Sequence, residues 1–295
     1  MSRPSPTSLP ALFRDPAEWQ RRCTAARDGG TRIAVVPTMG YLHEGHLSLM
    51  RQARRLADAD GRRGLSLATV FVNPSQFGPN EDLSRYPRDL EGDLSKCAAA
   101  GVDWVLSPEA PDAMYPSGFQ TWVEVADVSR GLCGERRPGH FRGVATVVAK
   151  LLHLSRPHAA LFGEKDWQQL QVIRAMARDL AFGVEVVGMP IVREPDGLAL
   201  SSRNAYLSPE ERRRAVALSR GLFEAQAEAA RGQRDPAALA AGVAARLSEA
   251  GARTEYVEVV EPETLRPVAR AEPGSRVLAA AFLGKTRIID NVALP

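Results

Sequence analysis

Hydrophobic and polar positions alternate along this chain in two different textures. Ile33-Ala-Val-Val36 is a short apolar run ending at Pro37, which predicts a buried strand. Leu47, Met50 and Ala53, with Leu49, Leu56 and Ala57, then recur at helical spacing as far as residue 60. A second strand is expected over Leu65–Val72, stopped by Asn73-Pro74, and a helix over Asp89–Ala100 closed by Gly101. Val102–Leu106 predicts a third strand, and Thr121–Val128 another, at an edge. A Gly- and Arg-dense loop, Ser129–Gly143, leads to a helix over Val144–Leu154. Ala159–Phe162 then predicts a strand, Asp166–Leu180 a helix and Val184–Val192 a strand. Strands and helices alternating at these lengths imply a Rossmann-like, doubly wound parallel sheet of the α/β class, with ligands at the carboxyl ends of its strands. The loops after Val36, Val72 and Phe162 are the places to examine.

Beyond residue 193 the texture changes. A polar loop, Arg193–Asn204, precedes Ala/Arg/Glu-rich helices over 208–231 and 235–250, and strand-like segments follow at 255–260, 276–283 and 286–290. The expected organisation is a larger domain, 1–192, and a smaller α+β C-terminal domain, 193–295, hinged at the polar loop.

Composition narrows the class. The 295 residues are 44% hydrophobic and 25% charged, with a net charge of +3, ample for one or two packed domains and too weakly basic to imply nucleic acid. The arginines sit on amphipathic helices such as 211–231, as on a solvated face, so an RNA-binding module is the lesser reading. No apolar run reaches the ~20 residues a membrane span needs, and Met1–Pro10, Ser/Pro-rich, lacks a signal core. Cys23, Cys97 and Cys133 fit neither a disulfide framework nor a zinc site and suit a reducing cytoplasm. Of the 38 basic residues only Lys96, Lys150, Lys165 and Lys285 are lysine. In such a chain a lysine points mildly to a place that needs a compact ammonium.

Four segments carry candidate chemistry. Pro37-Thr38-Met39-Gly40-Tyr41-Leu42-His43-Glu44-Gly45-His46 lies between a strand and a helix expected to start at about His46, so the helix amides and dipole face the loop. Gly40 and Gly45 allow backbone to approach a ligand, and two histidines can donate to phosphate oxygens. A phosphate site is the favoured reading. A zinc site, lacking His-Glu-x-x-His spacing, and a plain turn with helix-capping histidines are the alternatives. Phe162-Gly163-Glu164-Lys165-Asp166 offers a point charge at a strand end, against a plain surface turn. Asp196–Asn204 offers Ser201, Ser202 and Arg203 to a triphosphate, against a Ser-rich linker. Asn73 and Gln76, with Gln168 and Gln169 on a helix, are neutral amides suited to a hydroxy acid. Gly284-Lys285-Thr286 is rejected as a Walker A end, because position 279 is Ala and not Gly.

Taken in order, these segments resemble the pantothenate synthetase (pantoate–β-alanine ligase) family of the His-x-Gly-His adenylyl-transferase superfamily. The resemblance rests on Pro37–Gly40 with His43–His46, Phe71–Pro74, Met114-Tyr115-Pro116, Arg137–Gly143, Gly163–Asp166, Val192-Arg193-Glu194, Ser201–Asn204 and Gly284–Arg287, and covers residue 30 to the end. It implies ATP-dependent joining of pantoate to β-alanine through pantoyl adenylate, with release of pyrophosphate and AMP. By position, Met39, Gly40, His43, Gly45, His46, Gly163, Lys165, Asp166, Val192, Ser201, Ser202 and Arg203 take ATP, and the smaller domain closes over it. His46 takes the catalytic acid role, with His43 and Lys165 beside it. Gln76 and Gln169 hold pantoate, Gln76 also touches β-alanine, and the loop with His140 and Arg142 forms a mobile wall. Mg2+ and a homodimer are implied too; the acidic residues Asp89, Glu91 and Asp93 read equally well as a solvated helix face. Ser75, Ile191 and Leu200 depart from the family pattern and bear on pocket shape. The N-terminal ~12 residues have no assigned role. A nucleotidyltransferase acting on a phosphorylated acceptor is the rival enzyme reading; it would leave AMP joined to its product.

Overall fold

The computed structural model describes residues 8–79 and 81–295. In chain order the elements are β1 (Ala11–Phe13), α1 (Pro16–Asp28), β2 (Ile33–Thr38), α2 (Glu44–Ala57), β3 (Leu65–Val70), α3 (Leu90–Ala99), β4 (Trp104–Leu106), α4 (Leu132–Arg136), α5 (His140–Ser155), β5 (Ala159–Gly163), α6 (Trp167–Asp179), β6 (Glu185–Met189), α7 (Pro209–Ala230), α8 (Pro236–Glu249), β7 (Arg253–Val260), β8 (Arg276–Leu283) and β9 (Thr286–Ala293). Two compact units result. The first holds the chain to Ala126, with Arg137–Gly163 and Val172–Met189; the second holds Asp127–Arg136, Glu164–Gln171 and Pro190–Pro295. Helix α6 begins in the second unit and ends in the first.

The first unit carries a six-stranded sheet in the order β1-β4-β3-β2-β5-β6, parallel throughout. The expected Rossmann-like α/β class is what forms. β2 is apolar without alternation because both its faces are covered, as a central parallel strand requires. Ala34, Val36, Met50, Ala53, Leu161 and their neighbours form the core on the α2 side. The strand order reverses at β2, whose neighbours are β3 and β5, so their adjoining carboxyl ends are the switch point.

Several local expectations are corrected. α2 starts at Glu44 with His43 as its cap, two residues before the expected His46. Thr121–Val128 is irregular and not a strand; the Val123 N–H donates to the Thr146 hydroxyl at 3.0 Å instead of to a ladder. The Ser129–Gly143 loop contains α4 and the first turn of α5. β6 stops at Met189, where Pro190 has no N–H to offer. The N-terminal stretch left without a role supplies β1, paired with β4, while its residues 1–7 lie outside those described. α1, also unanticipated, is capped by Asp15 and anchored by Trp19, whose indole N–H donates to buried Ser155 at 3.0 Å.

In the second unit α7 and α8 pack on the antiparallel sheet β7-β8-β9, burying Leu218, Leu222, Val243, Val277 and Ala279 among others. Gly284-Lys285 is the two-residue turn of the β8–β9 hairpin, with Gly284 at φ 55° and both residues exposed. Among the described residues no helix is long and apolar enough to cross a membrane.

One close approach in the first unit is testable. A Cβ on Gly143 of α5 would stand 2.2 Å from the Ser75 carbonyl oxygen, which is main chain and cannot rotate away. Gly143→Ala gains about 1 kcal/mol of helix propensity, but overpacking against a fixed backbone costs about 1–3 kcal/mol. The clash should win: a lowered Tm on thermal unfolding is expected, and an unchanged or raised Tm would contradict this packing.

Candidate functional site

The loop after β2 is shaped by the groups packed against it. Gly40 sits at φ 84°, and a Cβ there would meet Asp93 Oδ2 and Val70 Cγ1, each at 2.9 Å. Asp93, 1% exposed in the first turn of α3, accepts the Tyr41 N–H at 2.8 Å and the Leu42 N–H at 2.7 Å. Burial pushes its carboxyl above the ordinary range, and these two donors oppose that shift. Asp93 is therefore no part of a solvated face. Its neighbour Asp89 caps α3 through the Gly92 N–H, and Asp89 and Glu91 are both exposed.

The two histidines close a capping box. Gly45 N–H donates to His43 Nδ1 at 3.2 Å, and His43 N–H donates to His46 Nδ1 at 3.3 Å. An Nδ1 that accepts carries no proton in the neutral ring, so Nε2–H is the donor on each. The ring centroids are 4.1 Å apart. The histidines thus do cap the helix, and the same bonds set which imidazole nitrogen can serve a ligand.

Beside this loop lies the turn after β3. Gln76, 8% exposed, donates from Nε2 to Met39 Sδ at 3.1 Å and accepts from Asn73 Nδ2 at 3.1 Å. The structure thereby brings two of the sequence-predicted residues, one from each loop, into contact. Asn73 differs from Gln76. Its amide donates to Gln76 and to the Gly143 carbonyl, and its oxygen accepts from Ser75 and from the Tyr115 hydroxyl at 2.8 Å. The Gln76 amide meets only side chains, whereas Asn73 also bonds main chain, at the Gly143 carbonyl and the Ser75 N–H, and so holds the turn.

His140 and Arg142 do not form a wall of irregular loop. Both lie in the first turn of α5, with His140 buried and Arg142 exposed over the Trp122 ring at 4.6 Å. His140 Nδ1 is 2.8 Å from the Gln76 carbonyl, which can only accept, so Nδ1 donates and Nε2 receives Arg137 Nη1 at 3.0 Å. Arg137 also binds Glu81, Nε to Oε1 at 2.8 Å. Burial alone would raise the Glu81 carboxyl, but the Arg137 hydrogen bonds and charge, with His140, hold it below the ordinary range.

The remaining candidates belong to the second unit, apart from Gly163, the last residue of β5. Lys165, half-buried, has its ammonium 3.9 Å from Asp166. Ser201 caps the short helix Ser202–Tyr206 by accepting the Arg203 N–H. The segment before it is tied down by Arg193, bound to buried Asp290 through both terminal guanidinium nitrogens, and by Val192, whose carbonyl accepts from the Leu200 N–H. Gln168, read with Gln169 as a hydroxy-acid ligand, is instead buried and saturated. It donates to the carbonyls of Val128, Arg130 and Gly131 and accepts the Cys133 N–H. Gln169 is half-buried. Sequence reasoning missed Asp93 as a loop anchor and the Glu81–Arg137–His140 chain behind Gln76; no local signal marks a side chain that acts on a loop 50 residues away.

A parallel sheet with paired histidines in the strand-to-helix turn at its switch point defines a Rossmann-like type of α/β protein. The chain belongs to the pantoate–β-alanine ligase family, whose model matches residues 11–293. It is 72% identical over 286 residues to the pantothenate synthetase of Anaeromyxobacter dehalogenans, covering 97% of this chain and 99% of that one. Among solved structures it is similar to the pantothenate synthetase of Thermus thermophilus, with TM-score 0.89, 45% identity and coverage of 97% and 100%. The pantoate–β-alanine ligase of Francisella tularensis, complexed with β-γ ATP and β-alanine, matches with TM-score 0.76, 29% identity and coverage of 96% and 97%.

Two outcomes are expected. Asp93→Asn keeps the shape but turns an N–H donor toward Tyr41 or Leu42, and a buried unmet donor costs about 1–3 kcal/mol. Hydrogen exchange at Tyr41 and Leu42 should accelerate, and unchanged exchange would exclude the anchor. For Glu81 the folded carboxyl is depressed, so its stabilisation is full above the ordinary glutamate range and lost as pH falls through the depressed value. The Tm gap between wild type and Glu81→Gln should therefore be constant near neutrality and close only in acid; a gap that widens on acidification contradicts the pairing.

Proposed function

We propose that this chain is an ATP-dependent ligase that condenses pantoate with β-alanine through pantoyl adenylate. The single observation that carries the reading is the contact of Gln76 with Met39. It places a neutral amide suited to an acyl substrate against the histidine loop suited to a nucleotide. The relatives above and the ATP- and β-alanine-bound ligase from Francisella tularensis support the same chemistry.

In the first step the pantoate carboxylate attacks the α-phosphorus of ATP and pyrophosphate leaves. In the second the β-alanine amine attacks the acyl carbon and AMP leaves. Two anions must meet in the first step, so donors that follow charge onto pyrophosphate are the main requirement. His43 and His46 supply Nε2–H donors, His46 acting as the catalytic acid, and Lys165 supplies a point charge. Lys165 lies two residues beyond Gly163, where β5 ends at the switch point. Met39, Gly40, Gly45, Gly163, Asp166, Val192, Ser201, Ser202 and Arg203 complete the nucleotide contacts. Gln76 and Gln169 hold pantoate, with Gln76 also reaching β-alanine. The functional halves are domains 1–192 and 193–295, with residues 127–136 and 164–171 of the first folding into the second compact unit.

Magnesium enters with the nucleotide as part of the substrate. Among the described residues no three His, Cys, Asp or Glu side chains could hold a metal ion together, and the nearby Asp93 carboxylate is engaged by two amides, so no protein ligand is assigned. A cytoplasmic location is supported by three free, buried cysteines. The family resemblance alone supports a homodimer and the absence of a nucleic-acid or membrane partner.

The test is a coupled assay with ATP, pantoate and β-alanine, each omitted in turn. AMP release should depend on all three, and His46→Ala and Lys165→Ala should each lower turnover by about 10²–10³-fold with the fold retained. Near-normal turnover in both variants would refute these roles, and AMP joined to the final product would favour a nucleotidyltransferase.

A further inference from the structure

The second unit contains a buried polar cluster that has no part in the chemistry above. Asn291, on β9 and 2% exposed, donates from Nδ2 to the Glu164 carbonyl at 2.9 Å and to the Lys165 carbonyl at 3.0 Å. Its Oδ1 accepts from Arg276 Nη1 at 2.6 Å. A guanidinium can only donate, so the amide oxygen has to face Arg276 and both amide hydrogens are left for the two carbonyls. Arg276 is itself held in place, with Cζ 3.3 Å from the Trp167 ring centroid and Nη2 3.3 Å from Glu164 Oε2, while the Trp167 indole donates to the Pro262 carbonyl at 2.7 Å. Asp290, the preceding residue on β9, accepts from Arg193 and from the Asn291 N–H.

The geometry has a specific consequence. The Glu164 carbonyl belongs to the peptide plane before the Lys165 Cα, and the Lys165 carbonyl to the plane after it. Planar peptides leave only the two torsions at that Cα, so holding both planes from one side chain sets those torsions and the direction in which Cβ leaves. A lone carbonyl contact would leave one plane able to swing.

We propose that Asn291 is a positioning residue for Lys165. From β9, an edge strand of the C-terminal sheet, it sets where the ammonium is delivered. The inference rests on the reading that Lys165 serves the nucleotide phosphates. Asparagine suits this place because it combines two parallel donors with one acceptor at short reach. Aspartate has the same shape but would present an oxygen to two carbonyl oxygens, and alanine would leave both planes unheld.

The experiment uses the full chain and a double-mutant cycle. Asn291→Asp, Asn291→Ala, Lys165→Ala and the double variant Lys165→Ala/Asn291→Asp are compared in kcat, in KM for β-alanine and in Tm. Val292→Ala, a buried β9 neighbour in the apolar core, serves as the stability control. Displacement of a reacting group by about 1 Å can cost about 100-fold in rate, so Asn291→Asp should lower kcat by that order with KM for β-alanine unchanged. It should cause no further loss once Lys165 is alanine. Val292→Ala should lower Tm with kcat near wild type. If Asn291→Asp does not fold, Asn291→Ala decides by the same comparison. A lowered Tm with wild-type kcat in the Asn291 variants, or a full additional loss in the Lys165→Ala background, would overturn the inference. Lys165→Ala with normal turnover would instead remove the reading on which it rests.

Discussion

A buried carboxylate that accepts two consecutive main-chain N–H groups gives the histidine loop its shape. Asp93 is charged only at the cost of desolvation, and the Tyr41 and Leu42 amides offset part of that cost. With those amides pulled toward α3, the chain turns at Gly40 and delivers His43 as the cap of α2. The His43 and His46 rings then take up the next amides through Nδ1. Each step constrains the one after it, and the orientation of both imidazoles follows.

The same device recurs wherever a candidate residue sits near a loop. Asn73 holds the turn that carries Gln76, the Glu81–Arg137–His140 chain holds the Gln76 carbonyl, and Gln168 holds residues 128–133. Asn291 does so for the two peptides around Lys165. Amides such as Gln76 and Asn73, or Gln168 and Gln169, are alike in composition and spacing. Only the partners at both ends of the amide separate a side chain engaged with backbone from one able to meet a ligand.

Lysine scarcity is an incomplete guide. It singled out Lys165, which follows the strand end at the switch point, and Lys285 proves to be an exposed hairpin turn. Lys150 was passed over, although its ammonium lies 4.7 Å from the Phe119 ring and burial lowers its pKa. The residues that surround it, Tyr115 and Phe119, come from an irregular segment in which no periodicity could be read.

The sequence by itself determined the α/β class, the parallel strands with strong apolar runs, the capped helices α7 and α8, and the family, because each of these depends on residues close together in the chain. Short or edge elements were beyond its reach. β1 is three residues long, too few to show a period, and Thr121–Val128 has strand-like composition but lends its N–H to a threonine hydroxyl. Tertiary structure alone decided that Asp93 is an anchor, that His140 is buried behind Gln76, and that Asn291 reaches Lys165 from 126 residues away. Such pairings have no local signature, because a buried polar group is defined by what folding brings to it and not by its neighbours in sequence.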